Sequence, residues 1–306
     1  MEKVPFIWMD GHLVKWDEAK VHVLTHSLHY GSGVFEGIRW YDTKKGPAIF
    51  RLKDHLERLY FSAQVMSMKI PYTKKELEDT AHLLIVKNNI KEGYLRPLAY
   101  FGYGKMGLMP IGAPVNVALA VWPWGAYLGH DMVRVKISKF MRIHPKSSEM
   151  KAKICGHYAN SILASLEARK AKCDEALLLD FEGNVAEGPG ENIFMVQGGE
   201  IYTPKEGSIL PGITRDSIQK FAKKLKIGFH EKKISVKDLM KADELFFTGT
   251  AAEITGISHV DGKRIADGKM GSVTRQLRRL YLDVVHGRVK EYEKWLEYCH
   301  CEVANS

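Results

Sequence analysis

The sequence has few cysteines and no long apolar run, and both absences exclude classes of protein. Four cysteines in 306 residues do not make a disulfide framework. Cys299-His300-Cys301 has no second pair within metal-ligand spacing, so we predict no metal site. The longest apolar stretch, 115–128, is too short to span a bilayer and contains Pro123 and Gly125. We therefore expect a cytoplasmic protein that does not enter a membrane.

The charged residues give a formal net charge of +9, which favours anionic partners such as phosphorylated cofactors and carboxylate substrates. The basic residues occur in short pairs, such as Lys223-Lys224 and Lys232-Lys233, and no zinc-finger or RNA-binding pattern is present. A solvated basic surface is therefore expected, and nucleic acid is not an expected partner. Apolar content of 45% and charged content of 26% are ordinary for a globular protein.

The length and the alternation of helix and strand patterns predict a mixed α/β (α+β) fold in two domains. A connector is expected after Trp122, because 122–129 combines proline and glycine with large aromatic side chains. Such a segment often lines a ligand site between domains, and an ordinary loop packed on a core fits the same residues equally well. We predict a small N-terminal α/β domain over 1–122, an interdomain loop over 123–134 and a large C-terminal domain over 135–306.

Hydrophobic periodicity predicts the individual elements. Helices are expected at 52–66, 74–89, 158–172, 214–225, 236–242 and from about 273. Strands are expected at 6–9, 12–15, 49–51, 94–101, 116–122, 176–180, 192–196, 200–202, 228–232 and 244–248.

One motif matches the pattern of a nucleotide-binding site, but the residues that follow it do not fit such a site. Gly102-Tyr103-Gly104-Lys105-Met106-Gly107 satisfies the dinucleotide pattern G-x-G-x-x-G. That pattern holds a pyrophosphate only if a helix begins at its third glycine. The next residues, 108–114, include Pro110, Gly112 and Pro114 and cannot begin such a helix. We predict a loop between strands, and no P-loop or H-E-x-x-H motif occurs elsewhere in the sequence.

One carboxylate and one lysine stand out in otherwise apolar surroundings. Glu187 opens the glycine-rich turn 187–190 between two strand-like runs, where the backbone would hold its side chain in place. Lys153 lies at the entry to the helical pattern at 158–172. A pyridoxal phosphate enzyme needs a lysine that forms a Schiff base and a carboxylate that pairs with the protonated pyridine nitrogen.

Two further turns are suited to a phosphate. The segment 210–216 opens a predicted helix, with Gly212 allowing the backbone to approach an anion and Thr214 able to cap the helix. The segment 248–253 follows an apolar strand and consists of small residues whose amides can face a ligand. Each turn alone fits a structural role better. Together with the lysine and the carboxylate, the two turns describe one phosphate-bearing cofactor.

With these motifs the chain resembles the branched-chain amino acid aminotransferases of the fold-type IV pyridoxal phosphate class. The resemblance runs from about Trp8 to Gly271. The motifs that carry it are His29-Tyr30-Gly31, Val34-Phe35-Glu36-Gly37-Ile38-Arg39, Tyr94-Leu95-Arg96-Pro97, Pro123-Trp124-Gly125-Ala126-Tyr127-Leu128, Glu187-Gly188-Pro189-Gly190-Glu191-Asn192, Leu210-Pro211-Gly212-Ile213-Thr214-Arg215-Asp216 and Gly249-Thr250-Ala251-Ala252-Glu253.

The resemblance implies pyridoxal 5'-phosphate as cofactor and assigns residues to it. Lys153 would be the Schiff-base lysine and proton shuttle, with a pKa lowered by burial and by the cofactor. Glu187 would keep the pyridine nitrogen protonated, and Tyr158 would bond the phenolic oxygen. Arg58 would reach the phosphate, although by itself it would be interpreted as a solvated helix arginine. The remaining phosphate contacts would come from Gly212, Ile213, Thr214, Gly249 and Thr250.

Substrate recognition must serve both an apolar side chain and glutamate, and an apolar pocket rejects a charge unless a partner is within reach. The resemblance implies that Arg96 meets the glutamate γ-carboxylate. Apolar pockets discriminate weakly between chains that differ by one methylene, so leucine, isoleucine and valine should all react. The other implied substrate contacts are an apolar wall of Tyr30, Phe35 and Tyr127 with Gly37 beside it, and Tyr94, Thr250 and Ala251 at the α-carboxylate.

The implied activity is reversible transamination between a branched-chain L-amino acid and 2-oxoglutarate, in a homo-oligomer that is at least a dimer. The alternatives are a D-amino acid aminotransferase or an aminodeoxychorismate lyase of the same fold, and a basic binding protein without activity. Tyr94, Arg96 and the 249–252 turn argue against the first two. Cys155, His157, Pro189 and Gly256 depart from the family pattern, and none of these departures removes a functional group.

Overall fold

The computed structural model describes residues 2–125 and 131–299, which form two compact units. The first unit comprises Met1–Gly125, Ala152–Gly156 and Asp283–Ser306, and the second comprises Ala126–Lys151 and His157–Leu282. The predicted domain limits stay a prediction. The units divide the chain differently, because they assign 152–156 and the C-terminal segment to the first unit. Within the predicted loop 123–134, residues 126–130 lie outside the described residues.

The first unit contains an eight-stranded antiparallel sheet within the described residues. Its strands are β1 (Phe6–Met9), β2 (His12–Lys15), β3 (Gly33–Phe35), β4 (Ile38–Tyr41), β5 (Ala48–Phe50), β6 (Gly93–Phe101), β7 (Val115–Trp122) and β17 (Leu296–Tyr298). The order is β17-β5-β4-β6-β7-β1-β2, and β3 pairs with β6. The central pair, β6 and β7, runs in register from Tyr94 opposite Trp122 to Phe101 opposite Val115.

The second unit contains a nine-stranded mixed sheet within the same limits. Its strands are β8 (Met132–Ile137), β9 (Glu175–Leu179), β10 (Val185–Glu187), β11 (Asn192–Gln197), β12 (Glu200–Thr203), β13 (Phe229–Glu231), β14 (Glu244–Gly249), β15 (Glu253–Val260) and β16 (Lys263–Arg264). The order is β10-β9-β8-β15-β14-β11-β12-β13, with β16 beside β15. An additional pairing of Glu187 with Asn192 joins β10 to β11, so six strands close into a ring.

Helices flank these sheets. Their bounds are α1 (His26–Tyr30), α2 (Leu52–Val65), α3 (Lys74–Asn88), α4 (Tyr158–Lys170), α5 (Ile213–Leu225), α6 (Val236–Leu239) and α7 (Ser272–Val285), with 3₁₀ turns at Trp16–Glu18, Cys155–His157 and Lys290–Trp295. Helix α3 begins with a capping box, in which Thr73 accepts from the Glu76 amide and Glu76 accepts from the Thr73 amide. No helix within the described residues is long and apolar enough to cross a membrane.

Each unit has its own apolar core. In the first unit, Leu56 and Leu59 of α2 and Leu77 and Leu84 of α3 are buried in one core with residues of the sheet. In the second unit the core is formed by the sheet strands together with residues such as Leu239 of α6. Burial of these side chains supplies the main favourable free energy of folding.

Most predicted elements are confirmed within one or two residues, and the differences occur where backbone conformation ends an element. The strand predicted at 49–51 ends at Phe50, because Arg51 has a left-handed φ of 54° and caps α2. The helix predicted at 158–172 ends at Lys170, and Lys172 has a φ of 58°. The loop predicted at 102–114 is confirmed between β6 and β7. Strands β3, β4, β8, β10, β15, β16 and β17 were not predicted.

Candidate active site

Lys153 lies in the first unit, on a short segment fixed by its backbone. The Lys153 amide donates to Ser62 Oγ at 2.9 Å, and its carbonyl accepts from the Phe35 amide at 3.1 Å. The next residue forms a bridge with Val34, and the Gly156 amide donates to the Gly31 carbonyl at 3.0 Å. Lys153 is half-buried, and its ammonium nitrogen lies 5.1 Å from the centre of the Phe35 ring. The fold therefore holds this lysine against β3.

Arg58 projects from α2 in the same unit and pairs with a buried carboxylate. Its Nε and Nη2 donate to Glu36 at 2.6 and 2.9 Å, and His55 Nδ1 lies 2.7 Å from the same carboxylate. Burial by itself would raise the pKa of Glu36, but the neighbouring Arg58 and His55 outweigh it and hold that pKa well below its ordinary value. Burial lowers the pKa of His55. The neutral imidazole and the guanidinium thus hold an ionised Glu36, which orients Arg58.

Arg96 lies on β6 among aromatic rings. Its guanidinium carbon is 4.7 Å from the centre of the Phe35 ring, 5.3 Å from that of Tyr94 and 5.9 Å from that of Trp122. Arg96 Nη2 lies 3.4 Å from the Tyr94 hydroxyl, whereas the buried Nε has no hydrogen-bond partner within the described residues. The faces of aromatic rings stabilise a cation that lies beside them. Arg96 can therefore keep its charge in surroundings that are otherwise apolar.

The expected substrate wall is only partly assembled by the described residues. Phe35 and Tyr94 lie beside Arg96, and Tyr30, at the end of α1, is 42% exposed. Gly37 lies against Tyr94, because a Cβ on Gly37 would overlap the tyrosine hydroxyl and come within 2.7 Å of its Cζ. Tyr127, the remaining predicted member, lies outside the described residues.

Glu187 lies in the second unit at the end of β10, with its side chain almost fully buried. Arg142 Nε donates to its Oε1 at 2.6 Å. Asn192 Nδ2 and the Leu210 amide donate to its Oε2 at 3.1 and 3.0 Å. The turn that follows is closed by the Gly188 amide, which donates to the Glu191 carbonyl at 2.7 Å. Three hydrogen-bond donors thus face this carboxylate and fix the position of its side chain.

The predicted phosphate turn at 210–216 lies next to Glu187. Asn192 Nδ2 also donates to the Leu210 carbonyl at 2.9 Å, so one amide links the carboxylate to this turn. Gly212 is the N-cap of α5 and supplies no capping side chain, and a Cβ there would overlap the Asn192 amide oxygen. The first helical residues are Ile213 and Thr214, both buried. The first-turn amides of a helix have no partner within the helix, which suits an anion.

The second predicted turn connects β14 and β15 in the same unit. Gly249 ends β14, and Thr250 and Ala251 are half-buried turn residues. Thr248 Oγ1 is buried and has no hydrogen-bond partner within the described residues. A buried unpaired hydroxyl is costly unless a ligand supplies its partner.

Tyr158 is the first residue of α4, in the second unit, and is half-buried. Its neighbour His157 lies 2.5 Å from Ser148 Oγ through Nε2. Burial, and then the positive charge of Arg142, lowers the pKa of His157 to about 4. Burial raises the pKa of the Cys155 thiol to about 11, so this cysteine stays protonated at neutral pH. Because its pKa is about 4, the His157 imidazole is neutral at neutral pH, and its hydrogen bond to Ser148 gives it a structural role.

Four residues that hold the predicted groups in place were not assigned from the sequence. Glu36 binds Arg58 and is itself bound by His55, while Arg142 and Asn192 bind Glu187. Glu36 and Asn192 stand inside the quoted motifs, where a polar residue in an apolar segment is a usable signal. Nothing in the sequence around Arg142 or His55 distinguishes them from surface residues.

The amino-transferase class IV family model matches residues 33–260. The chain is 46% identical over 293 residues to the branched-chain-amino-acid aminotransferase of Pseudomonas aeruginosa, an alignment that covers 94% of this chain and 95% of that protein. It is 40% identical over 302 residues to the enzyme of that name from Escherichia coli strain K12, covering 97% of this chain and 98% of that protein.

A solved structure has the same fold. The crystal structure of a branched-chain amino acid aminotransferase from T.th., complexed with N-(5'-phosphopyridoxyl)-L-glutamate, matches with a TM-score of 0.95 and 45% identity. The match covers 98% of this chain and 100% of that chain. Fold and sequence thus agree over nearly the whole length.

Proposed function

The chain belongs to the amino-transferase class IV family, and we propose on that premise that it catalyses reversible transamination between branched-chain L-amino acids and 2-oxoglutarate. The products are branched-chain 2-oxo acids and L-glutamate. The observation that carries the substrate assignment is Arg96 among the rings of Phe35, Tyr94 and Trp122. This arrangement combines an apolar wall with one cation, which is what a site for both leucine and glutamate needs.

We propose pyridoxal 5'-phosphate as the cofactor, and three features of the structure fit it. Glu187 is a buried carboxylate whose position is fixed by side-chain and backbone donors, as a pyridine nitrogen requires. Gly212 leaves the start of α5 without a side-chain cap, which suits a phosphate. Thr248 carries a buried hydroxyl without a partner in the described part of the chain. When bound, this cofactor supplies an electron sink for the substrate carbanion.

We propose for these residues the roles that the resemblance to the family implies. Lys153 would bind the cofactor through its amine and carry the proton that leaves the substrate Cα. Glu187 would keep the pyridine nitrogen protonated, and Tyr158 would bond the phenolic oxygen. Arg58, oriented by Glu36, would neutralise phosphate charge. The other proposed phosphate contacts are Gly212, Ile213, Thr214, Gly249 and Thr250.

On the substrate side, Arg96 would pair with the γ-carboxylate of glutamate and lie beside the side chain of leucine. Phe35 and Tyr94 already contact Arg96, so the first unit places aromatic side chains and the cation that would bind the γ-carboxylate next to one another. Tyr30, Gly37, Tyr127, Thr250 and Ala251 remain proposed substrate contacts.

We further propose a homo-oligomer of at least two chains. Large apolar side chains are exposed on two segments of the first unit, and this apolar patch includes Leu28 at 62%, Leu108 at 87% and Met109 at 63% exposed. The segments are linked by His26 Nε2, which lies 2.7 Å from the Gly107 carbonyl oxygen. An exposed apolar area of this kind is typical of a surface that another chain covers. Light scattering after size exclusion tests it, and a monomer at micromolar concentration would contradict it.

The assay for the activity uses the purified holoenzyme with 2-oxoglutarate and compares L-leucine with D-alanine as amino donor. We expect turnover with L-leucine, L-isoleucine and L-valine, and none with Lys153→Ala. Preference for D-alanine would instead favour a D-amino acid aminotransferase. A protein that stays colourless with added pyridoxal phosphate would favour the inactive binding protein. The cytoplasmic location stays a prediction.

A further inference from the structure

Three metal-ligating side chains meet in the first unit, on elements to which we assign no other role. They are Glu78 and His82 of α3 and Glu297 of β17. One carboxylate oxygen of each glutamate and one ring nitrogen of His82 all lie within 4.8 Å of one another. Sequence motifs alone predicted no metal site, since Glu297 is far from α3 along the chain.

The fold explains why these groups meet. Glu78 and His82 are four residues apart on α3, so their side chains lie on the same face of the helix. Strand β17 is the edge strand of the first sheet, and Glu297 pairs with Ile49 of β5. Side chains alternate along a strand, so Glu297 points away from the buried Leu296. The edge strand and the helix thus each contribute to one cluster.

The electrostatics of the cluster favour a cation. The side chains of Glu78 and Glu297 are only 17% and 16% exposed, so two like charges approach each other in a partly desolvated setting. Their nearest cations, Lys75 and Lys53, are exposed and lie at 3.2 and 3.4 Å, which is long for charge-assisted bonds. These lysines can swing into solvent when a metal ion binds.

His82 is prepared to act as a ligand. Its side chain is half-buried. Neither of its ring nitrogens has a hydrogen-bond partner among residues 2–125 and 131–299. A metal ion can therefore bind a ring nitrogen of His82 without displacing a hydrogen-bond partner.

We propose that Glu78, His82 and Glu297 bind one divalent transition-metal ion of the zinc type, with water completing the coordination. One imidazole and two carboxylates are a donor set that zinc accepts with an open fourth position. Tetrahedral ligand atoms at zinc distances lie about 3.3 Å apart, so small side-chain rotations close the present separations. The bound ion ties the C-terminal edge strand to α3 and stabilises the first unit.

The test is a calorimetric titration of ZnCl2 into the full chain, which is loaded with pyridoxal phosphate and freed of metal ions with a chelator. The absorption spectrum of Co²⁺, added as CoCl2, reports on the ligands of the bound ion. We expect one ion per chain and a rise in Tm that EDTA reverses. His82→Ala and the near-isosteric Glu297→Gln should each weaken binding at least about 100-fold, because loss of a direct ligand exceeds the effect of outer partners. Mg²⁺, which prefers oxygen ligands, should bind more weakly than Zn²⁺.

Controls separate this site from other metal-binding groups. His12→Ala removes an exposed imidazole from β2 and should leave zinc binding unchanged. Circular dichroism and leucine transamination verify that each variant is folded. Absence of stoichiometric zinc binding in the unmodified chain would overturn the proposal. So would binding that survives both His82→Ala and Glu297→Gln but disappears in Cys301→Ser, since the tail would then hold the ion.

Discussion

Arg142 Nε lies 2.6 Å from Glu187 Oε1, and both side chains are less than 10% exposed. The other carboxylate oxygen accepts from Asn192 and from the Leu210 amide. A carboxylate with this many donors keeps its charge and its position inside the sheet. The ion pair thus supports the group that we propose for the pyridine nitrogen.

A double-mutant cycle should show that Arg142 and Glu187 are strongly coupled. Removing one partner of a buried ion pair leaves an uncompensated charge and typically costs about 3–5 kcal/mol. We expect Arg142→Met to lower the free energy of unfolding by that order and Arg142→Met/Glu187→Gln to recover part of it. Urea denaturation measures each value. Additive losses would show that the pair is not coupled.

Glu187→Gln should separate cofactor binding from turnover. The amide keeps the shape of the side chain but loses the charge that holds a proton on the pyridine nitrogen. We expect bound cofactor by absorbance and a fall in kcat of about 100-fold or more. Glu200→Gln, an exposed carboxylate on β12, is the control and should retain activity. Near-normal turnover of the Glu187 variant would remove this residue from its role.

Arg96→Gln should affect the two half-reactions unequally. The guanidinium would bind the γ-carboxylate of glutamate, whereas leucine brings no charge to it. Loss of a hydrogen bond to a charged group costs about 1.5–3 kcal/mol, which corresponds to about 10–100-fold in kcat/KM for glutamate. Single-turnover kinetics with leucine and with glutamate measure the split. Equal losses for both donors would contradict charge recognition at this residue.

Gly37→Ala should disturb Tyr94 and raise KM for every substrate. The new methyl group would overlap the tyrosine hydroxyl, which must then move away from Arg96. Gly190→Ala is the matched control, because a Cβ at that position meets no atom within 4 Å. Steady-state kinetics on both variants distinguish the effects. Unchanged KM in Gly37→Ala would show that the Tyr94 position is not needed.

Stability should fall as the pH drops from about 6.5 towards 4, in part because of His157. Its folded pKa of about 4 lies below the ordinary histidine value, so the unfolded chain binds more protons in this window. Stability from this group is complete above the unfolded pKa and is lost as pH falls through the folded pKa. His157→Gln, which can still bond Ser148, should flatten the Tm profile in that range. An identical profile for both proteins would contradict this effect.

Much of the fold was predictable because local periodicity and burial agree. The apolar faces of α2 and α3 follow helical spacing, and the runs that become β6, β7 and β14 are apolar throughout or alternate. Short strands were not predictable in this way. Strand β3, Gly33–Phe35, is a strand because β6 pairs with it, and three residues carry no periodicity.

The candidate site likewise contains some residues that could be predicted from the sequence and others that could not. Glu187 and Arg96 are identifiable because they stand in motifs of the aminotransferase family, and Lys153 and Arg58 are assigned through the resemblance that these motifs carry. Arg142, which pairs with Glu187, and His55, which pairs with Glu36, are not identifiable, since each lies far along the chain or on a helix face without a distinguishing pattern. Only pairing in space makes them part of the same charge clusters.

The sequence by itself determined the family and the reaction type and predicted the residues that would perform it, since the motifs that carry the resemblance are residue types at short spacings. The tertiary structure alone decided which buried charges compensate one another. It brought Arg142 to Glu187 and Glu36 to Arg58, and it also placed Glu297 beside His82. These contacts join residues distant in sequence, and long-range contacts of this kind are set by strand pairing and core packing rather than by local propensity.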